Sequence, residues 1–470
     1  MQRTGRRMFV LSLAAAAALG LGPLAAAQEK PAWQAGVARV KITPEKPIWM
    51  SGYAARNRPA EGKLTELWAK ALVLQDAKGR RVVLVTLDLV GVDRRFGLEV
   101  RQRIARELGV PLAAVALNCS HTHTGPVVGE NLRPTYALDE EQTQQIAQYT
   151  RWLKGRVVQA ARQAAAALAP ARVGWTEGRA TFAVNRRNNR EADVPRLRRQ
   201  GKLRGPVDHR VPVLVVQSLQ GKLKAVVAGY ACHATVLSFY LWSGDYPGFF
   251  QLALEEDHPG AVALFVAGCG GDQNPLPRRK VEYAKEYGRR LADAVNQAMK
   301  KGLQPLKPTL EFQYREVPLA LAHVPSRREL QQDLKSKNVY IVRRAKLLLE
   351  QLDRQGRIPG EYPYPVQSWL LGGELLWVFL GGEVVVDYSL RLHRELEGPL
   401  WVAGYSNDVM AYIPSLRVLR EGGYEGARAM IYYGLPSPWA SDVELRVVEE
   451  VHRQARLLGR KVRQTAGNQR

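Results

Sequence analysis

One short segment constrains this chain more than any other: His121 and His123 stand two residues apart, where an apolar run meets Gly-Pro. The run at 115–117 passes into Asn-Cys-Ser and then into the histidine pair. In an extended backbone, residues i and i+2 share a face, so both imidazoles are predicted to point into one cavity at a strand end. Histidine is the commonest metal ligand, and the chain has only eight. Two polar side chains without a ligand role are the alternative.

Three later segments also place polar groups where an apolar, strand-like run ends. His233 follows the run at 225–228, and Glu383 follows the run at 376–380 after two glycines. The run at 264–267 breaks into small residues and then into Asp-Gln-Asn-Pro. Because glycine lets a ligand approach the backbone closely, and α/β scaffolds build their sites at strand ends, these segments are predicted to line one pocket.

Strand-like and helix-like runs alternate along the chain, which predicts an α/β fold with a mixed β-sheet core covered by helices. The predicted strands are 81–89, 211–216, 225–230, 262–266, 375–380 and 400–403. The predicted helices are 142–167, 281–299, 330–352 and 443–462. Residues 186–206 are predicted to form a long charged loop near the site. Without a repeat or a low-complexity linker, residues 28–470 are expected to form a single large domain.

The first residues have the pattern of an export signal. Three arginines precede an apolar stretch at 8–21, and Ala-Ala-Ala at 25–27 fits a cleavage site. Residues 1–27 are therefore predicted to be a signal peptide, and the mature protein to be secreted or periplasmic. The pair Arg6-Arg7 also fits twin-arginine export, and a plain secretory signal with chance arginines fits equally well.

The chain is strongly basic, and its formal charge falls from +24 to +21 (24 − 3) without the three signal-peptide arginines. Such a charge attracts anionic surfaces, so an anionic membrane surface is an expected partner of an exported protein. The excess of basic residues is spread over segments such as 186–204 and 335–357. Segment 335–357 is better explained as the solvated face of a helix than as a docking site. The chain has an export signal and no recognisable nucleic-acid-binding motif, so a nucleic-acid partner is not expected.

The three cysteines, Cys119, Cys232 and Cys269, all lie within the segments that carry the candidate site. The simplest interpretation is that they are small buried residues that fill tight space. A role as soft metal ligands, or one disulfide in an oxidising compartment, is an alternative that their spacing does not select.

Taken together, the segments resemble the catalytic domain of the neutral (non-lysosomal) ceramidases. The matching elements, in order, are His-Thr-His-x-Gly-Pro at 121–126, His233, Gly-Asp-x-x-Pro at 271–275, Gly-Glu at 382–383, Tyr412 and Tyr-Glu-Gly at 424–426. Their order and rough spacing match over nearly the whole mature chain. The resemblance implies a zinc amidohydrolase that acts on a ceramide-like lipid.

The resemblance also implies a ligand set for a catalytic Zn²⁺, namely His121, His233, Glu383 and Tyr412. Zinc polarises a carbonyl and lowers the pKa of water that it binds to about 7, so water can attack an amide at neutral pH. His123 is then the candidate proton-transferring group, or else a partner that orients the site.

By the same resemblance, Arg186 and Tyr424 match the positions that donate hydrogen bonds to the oxyanion of amide hydrolysis. Arg186 lies in an arginine-rich segment, so a solvated loop residue is the alternative. At Asn274 the chain departs from the family, which has a serine there. An asparagine amide donates hydrogen bonds but has no hydroxyl, so attack by water survives the change, whereas recognition of the ceramide head group is open.

Known ceramidases of this family carry a C-terminal β-sandwich, whereas 44 residues (470 − 426) follow the Tyr-Glu-Gly segment here. A catalytic domain alone is therefore expected, and an N-acyl amide is a firmer prediction for the substrate than ceramide. Two alternatives stay open. One is a non-catalytic protein that keeps the pocket for a metal or ligand, and the other is a zinc hydrolase of another amide or an ester.

Overall fold

Alternating apolar side chains build two β-sheets, which the computed structural model describes over residues 33–463; of the preceding residues it describes only 2 and 5. The predicted signal peptide therefore lies outside the described residues, apart from those two. In chain order the strands are β1 Trp33–Lys41, β2 Gly62–Lys63, β3 Trp68–Gln75, β4 Arg81–Leu87, β5 Val115–Cys119, β6 Ala169–Arg179, β7 Ala183–Asn185, β8 Arg210–Ser218, β9 Leu223–Tyr230, β10 Leu241–Trp242, β11 Val262–Ala267, β12 Gln273–Pro275, β13 Gln304–Pro305, β14 Leu310–Ala320, β15 Glu361–Leu371, β16 Leu375–Leu380, β17 Glu383–Val384, β18 Leu400–Ala403 and β19 Tyr412–Ile413.

Helices alternate with these strands through most of the described chain. They are α1 Arg94–Leu108, α2 Glu140–Ala166, α3 Val194–Arg199, α4 Asp245–Asp257, α5 Val281–Lys301, α6 Arg327–Asp333, α7 Val339–Gln355, α8 Val386–Glu395, α9 Leu416–Glu421, α10 Met430–Tyr433 and α11 Val443–Leu457. Residues Tyr424–Arg428 form a short π-helical turn. The longest helix, α2, begins with a capping box, in which Asp139 and Gln142 satisfy each other's backbone N–H groups.

The larger sheet is mixed, as the alternation of strands and helices predicts. Its strand order is β11-β9-β8-β6-β1-β3-β4-β5, and β13 pairs with β6 off this path. The pairs β9 with β11 and β4 with β5 are parallel, and the other pairs are antiparallel. The second sheet has the order β14-β15-β16-β18, in which β16 and β18 run parallel.

Both faces of the larger sheet are buried, so its strands place apolar side chains on alternating sides. In β3, Ala71 and Val73 pack with the helices α2, α4 and α5, whereas Leu72 and Leu74 pack toward the second sheet. The second sheet buries its other face against α8 and α11. The result is a four-layer arrangement of helices, sheet, sheet and helices within one compact unit, so the predicted α/β class with a mixed, helix-covered sheet is confirmed.

The predicted helix at 443–462 ends at Leu457 and the predicted strand at 81–89 ends at Leu87, and two predicted elements differ more strongly from the structure. The predicted helix at 330–352 is two helices, α6 and α7, because Asn338 accepts a hydrogen bond from the Tyr340 N–H and so starts a new helix. Leu334, which lies within the predicted helix, is exposed between them. The predicted loop at 186–206 contains the short helix α3.

The carboxyl ends of parallel strands from both sheets meet where the candidate site residues lie. Isolated bridges join Asn118 to Ser406 and Gly268 to Ala403, which holds the ends of β5 and β11 against the end of β18 and the residues that follow it. Within the described part of the chain, no helix combines the length and apolar character that crossing a bilayer requires.

Candidate active site and metal centre

His121 stands just beyond the end of β5 and is 1% exposed. Its φ of 61° lies in the left-handed region, so the extended backbone predicted around the histidine pair is wrong here, although the two rings do meet. A non-glycine residue in this region costs about 1 kcal/mol or more, which is typical of functional sites. Its Nδ1 donates to the Val90 carbonyl at 2.6 Å. Because a carbonyl only accepts, the other nitrogen, Nε2, carries the lone pair in the neutral form of the ring.

His233 follows β9 and is held in the same tautomer. Its Nδ1 donates to the Gly270 carbonyl at 2.7 Å, so its Nε2 also carries a lone pair. Burial, followed by the positive charge of Arg186, lowers the pKa of His233 to about 4. The ring is therefore neutral at physiological pH and able to act as a ligand.

Glu383 and Tyr412 are brought together by the short parallel pair of β17 and β19, in which they are register partners. Oε2 of Glu383 lies 3.0 Å from Nε2 of His121 and 3.0 Å from Nε2 of His233. The Tyr412 hydroxyl lies 3.3 Å from Nε2 of His233.

Oε2 of Glu383 and Nε2 of the two histidines face one another as acceptors, which is the test of whether a metal ion fits. Among the described residues, the buried Oε2 of Glu383 has no hydrogen-bond donor. With ligand bonds of about 2.0–2.1 Å, tetrahedral ligands of zinc lie about 3.3 Å apart. The observed separations of 3.0 to 3.3 Å match that spacing. A cation fits this donor set.

His123 lies beside this cluster and is less buried than its neighbours. Its Nε2 is 3.1 Å from Nε2 of His121, and candidate ligand atoms of His121, His123 and His233 all lie within 4.8 Å of one another. The second nitrogen, Nδ1, is buried without a partner in the described chain. Gly52 closes the other side of the ring: a Cβ there would lie 2.6 Å from Cγ of His123, so only glycine fits.

Arg186 contacts the candidate metal centre by a hydrogen bond to Tyr412. It directly follows β7, which pairs with β12 and so brings the arginine beside Asn274. Its Nη2 donates to the Tyr412 hydroxyl at 3.1 Å, and its Nε donates to Glu425 at 2.7 Å. The alternative of a solvated loop residue does not describe this position, because the side chain is 18% exposed and each of its three nitrogens has an acceptor.

Asn274 and Tyr424 complete the set of residues predicted from the sequence. Asn274 is 4% exposed, and its Oδ1 lies 3.4 Å from Nη1 of Arg186. Tyr424 is 40% exposed and packs against Arg186 and Tyr412, with ring centroids of the two tyrosines 5.4 Å apart. The structure thus brings all eight predicted residues into one connected group.

The cysteines take no part in this group. Cys119, Cys232 and Cys269 are buried and form no disulfide. Burial raises the pKa of each thiol well above its usual value, so none is a thiolate. Their surroundings favour the interpretation as small residues that fill space.

Three residues support the site although the sequence analysis gave none of them a role. Tyr433 on α10 hydrogen-bonds Oε1 of Glu383. Glu425 lies in the Tyr-Glu-Gly segment, which was used only for its position in the chain. In the structure its carboxylate binds both Arg186 and Arg187. Asp272 is fully buried, and its carboxylate binds the Val386 N–H and the Asn185 amide, which fixes the loop that carries Gly270 and Asn274.

The protein has two helix-covered sheets, whose strand ends bring together two histidines, a carboxylate and a tyrosine. It is therefore an α/β protein with a buried candidate metal centre. A family model described as neutral/alkaline non-lysosomal ceramidase, N-terminal, matches residues 33–275. These are 243 of the 470 residues (275 − 33 + 1), and the chain belongs to this family. The resemblance drawn from the sequence motifs is confirmed.

Two solved structures share the fold. A ceramidase complexed with C2 has a TM-score of 0.70 and 18% identity, over 93% of this chain and 77% of that one. The crystal structure of a neutral ceramidase from Pseudomonas aeruginosa has a TM-score of 0.68 and 20% identity, over 93% of this chain and 79% of that one. At these identities the similarity concerns the fold.

Proposed function

We propose that this chain is an exported, zinc-dependent hydrolase that cleaves the amide of an N-acylated amine, the kind of bond that ceramide contains. The observation that carries the proposal is the convergence of Glu383 Oε2 with Nε2 of His121 and His233 at 3.0 Å. Family membership supports amide hydrolysis. A ceramidase of the same fold complexed with C2 supports a lipid-like substrate.

His121, His233, Glu383 and Tyr412 would hold the metal. Zinc supplies Lewis acidity, which polarises the amide carbonyl and makes water a nucleophile at neutral pH. The protein prepares its ligands for this role, because the Val90 and Gly270 carbonyls fix both ring tautomers.

His123 is the proposed proton carrier. Its Nε2 lies beside the ligand atom of His121, and its Nδ1 is free of partners in the described chain. As water attacks the carbonyl carbon, the imidazole accepts its proton, and it returns that proton to the amine nitrogen when the C–N bond breaks. The products are a carboxylic acid and an amine, and His123 ends the cycle neutral.

Arg186 and Tyr424 are the proposed donors to the oxyanion that forms on the carbonyl oxygen. Glu425 and Tyr412 hold the guanidinium in place, so little reorganisation is needed when charge develops. Asn274 lies within reach of the same guanidinium and adds an amide that can donate to the substrate.

Export and contact with an anionic membrane surface are part of the proposal. The n-region arginines and the apolar stretch at 8–21 support export. The charge of +21 that remains without residues 1–27 supports attraction to anionic lipid.

The test is hydrolysis of a fluorescent N-acylsphingosine and of simple N-acyl amides by purified residues 28–470 supplied with zinc. Metal content is measured in parallel, and the His121→Ala variant is the control. Turnover and bound zinc that both fall in the variant support the proposal. Bound zinc without turnover of any N-acyl amide contradicts catalysis and favours a ligand-binding role, and absence of bound zinc contradicts the mechanism.

A further inference from the structure

A cleft of about 560 Å³ opens beside the metal centre. Arg186, Asn274 and Tyr424 line it and belong at the same time to the group around the metal site. A substrate whose amide reaches that group therefore places one of its halves in this cleft.

The cleft does not suit a hydrocarbon chain. Of the described residues that line it, only Leu276 is aliphatic, and it is 1% exposed. Ligand pockets for apolar groups are lined mainly by apolar side chains, because burial of the chain must remove its surface from water without stranding polar groups. The half of the substrate that lies here is therefore the amine half, and it is polar.

The carboxylates of the cleft wall are already neutralised by arginines. Glu425 binds Arg186 and Arg187, and Glu421 also binds Arg187. In the same way, Glu191 binds Arg278, with Nη2 and Oε2 2.9 Å apart. An incoming cation or hydroxyl donor would have to break one of these pairs.

Unused donors, by contrast, remain in the wall. Arg190 is exposed, and its guanidinium has no hydrogen-bond or ion-pair partner among residues 33–463. Asn274 points its Oδ1 at two donors, the Thr235 hydroxyl and Nη1 of Arg186, each 3.4 Å away. Because that contact fixes the flip of the amide, its Nδ2 faces away from them and has no acceptor in the described chain.

We infer that the amine half of the substrate carries an anionic group, a carboxylate or a phosphate, which binds the free donors of Arg190 and Asn274. This inference rests on the proposed function and narrows it, from N-acylated amines in general to anionic ones. It also gives the asparagine at position 274 a role, since its amide offers two N–H donors where a serine offers one hydroxyl.

The experiment compares matched substrates with a short acyl chain, which keeps them monomeric. N-hexanoylglycine is paired with its methyl ester, and N-hexanoyl-O-phosphoethanolamine with N-hexanoylethanolamine. A hydrogen bond to a charged group predicts a kcat/KM about tenfold higher for at least one anionic member than for its neutral partner. Which pair shows the larger preference tells a carboxylate from a phosphate. No preference in either pair overturns the inference, whereas cleavage of the neutral members leaves the proposed function standing.

Variants test the assigned residues through the same ratio. Arg190→Ala is expected to lower the anionic-to-neutral ratio about threefold, as loss of an exposed charge contact does. Asn274→Asp keeps the shape but replaces both donors with an anion, so the ratio falls further. Arg95→Ala, which removes an arginine whose side chain is 86% exposed on α1, is the control and leaves the ratio unchanged. Equal ratios in all variants contradict the assignment.

Binding to the metal-free protein separates the two proposals. Titration calorimetry with N-hexanoylglycine and its methyl ester needs no turnover, and tighter binding of the acid that weakens in Arg190→Ala supports the anion site. If that pattern appears while no amide is cleaved, the proposed function fails, and only the anion-binding role of Arg190 is supported. Equal binding of acid and ester counts against the inference.

Discussion

The hydroxyl of Tyr433 hydrogen-bonds Oε1 of Glu383, which leaves Oε2 alone facing the two histidines. Burial, and then the negative charge of Glu383, holds the pKa of Tyr433 well above its usual value. The tyrosine is therefore the donor, and it fixes which carboxylate oxygen is presented to a metal.

Removal of this hydroxyl is expected to weaken metal binding without unfolding the site. Partners that orient metal ligands typically contribute 10-fold to 100-fold in affinity, so Tyr433→Phe should lower zinc affinity by about that factor. Competition with a chelator measures it. Tyr432→Phe is the matched control, because that ring packs on Tyr340, with centroids 4.9 Å apart. Unchanged affinity in Tyr433→Phe would show that Glu383 needs no orienting partner.

The two histidines of the His-Thr-His segment are expected to differ in their effects. His121→Ala should lose bound zinc, because the change removes one of the four proposed ligand atoms. His123→Ala should retain about one zinc per chain while kcat falls about 10²-fold to 10⁴-fold, the usual contribution of a positioned proton carrier. Metal analysis with single-turnover kinetics separates the outcomes. If His123→Ala also loses the metal, His123 is a ligand.

Glu425→Gln tests how Arg186 is held. The neutral amide keeps the shape but removes the charge that pairs with Nε of Arg186 at 2.7 Å, so kcat should fall about tenfold with zinc retained. Loss of one partner of a buried pair should also lower the free energy of unfolding by about 1–3 kcal/mol. Glu421→Gln, at a carboxylate whose side chain is 42% exposed, is the control for both measurements. Equal effects of the two changes would contradict a positioning role.

Asp408 makes the stability of the protein depend on pH. Its Oδ2 accepts a hydrogen bond from Tyr362 at 2.6 Å, its Oδ1 is buried without a partner in the described chain, and burial raises its pKa to about 7. Between pH 4 and 7 the folded state therefore holds a proton that the unfolded state has lost, and stability falls as pH rises.

Asp408→Asn removes this titration. The free energy of unfolding should match that of the wild type near pH 4 and exceed it by about 4 kcal/mol at pH 8. Denaturant titrations with chelator present measure the difference independently of metal. Asp353→Asn, at a carboxylate whose side chain is 61% exposed, should leave the pH dependence unchanged. If the free energy of unfolding of Asp408→Asn still falls as pH rises, another group causes the pH dependence.

Local patterns predicted the fold class and several central strands, because strands buried on both faces are continuous apolar runs. The runs at 375–380 and 400–403 match β16 and β18 to the residue. The predicted helix at 330–352 failed because leucines at helical spacing continue across Leu334, while the polar residues that follow it let Asn338 begin a second helix. Periodicity does not detect a break that preserves the apolar face.

Residues of the candidate site that lie in sequence motifs could be predicted. Residues that only the tertiary structure brings to the site could not. Pairing of β17 with β19 makes Glu383 and Tyr412 neighbours, yet 28 residues (412 − 383 − 1) separate them in the chain. Tyr433 reaches Glu383 from a short helix with no motif of its own. Such contacts depend on how the two sheets dock, which a single sequence does not encode locally.

The candidate metal ligands come from both sheets, and this has a mechanical consequence. His121 follows β5 of the larger sheet, whereas Glu383 follows β16 of the smaller one, so a bound ion would close a loop of 262 residues (383 − 121). The cysteines supply no disulfide to cross-link the chain. An ion at this place would act as such a cross-link. Loss of the metal would therefore weaken the association of the two sheets as well as abolish catalysis.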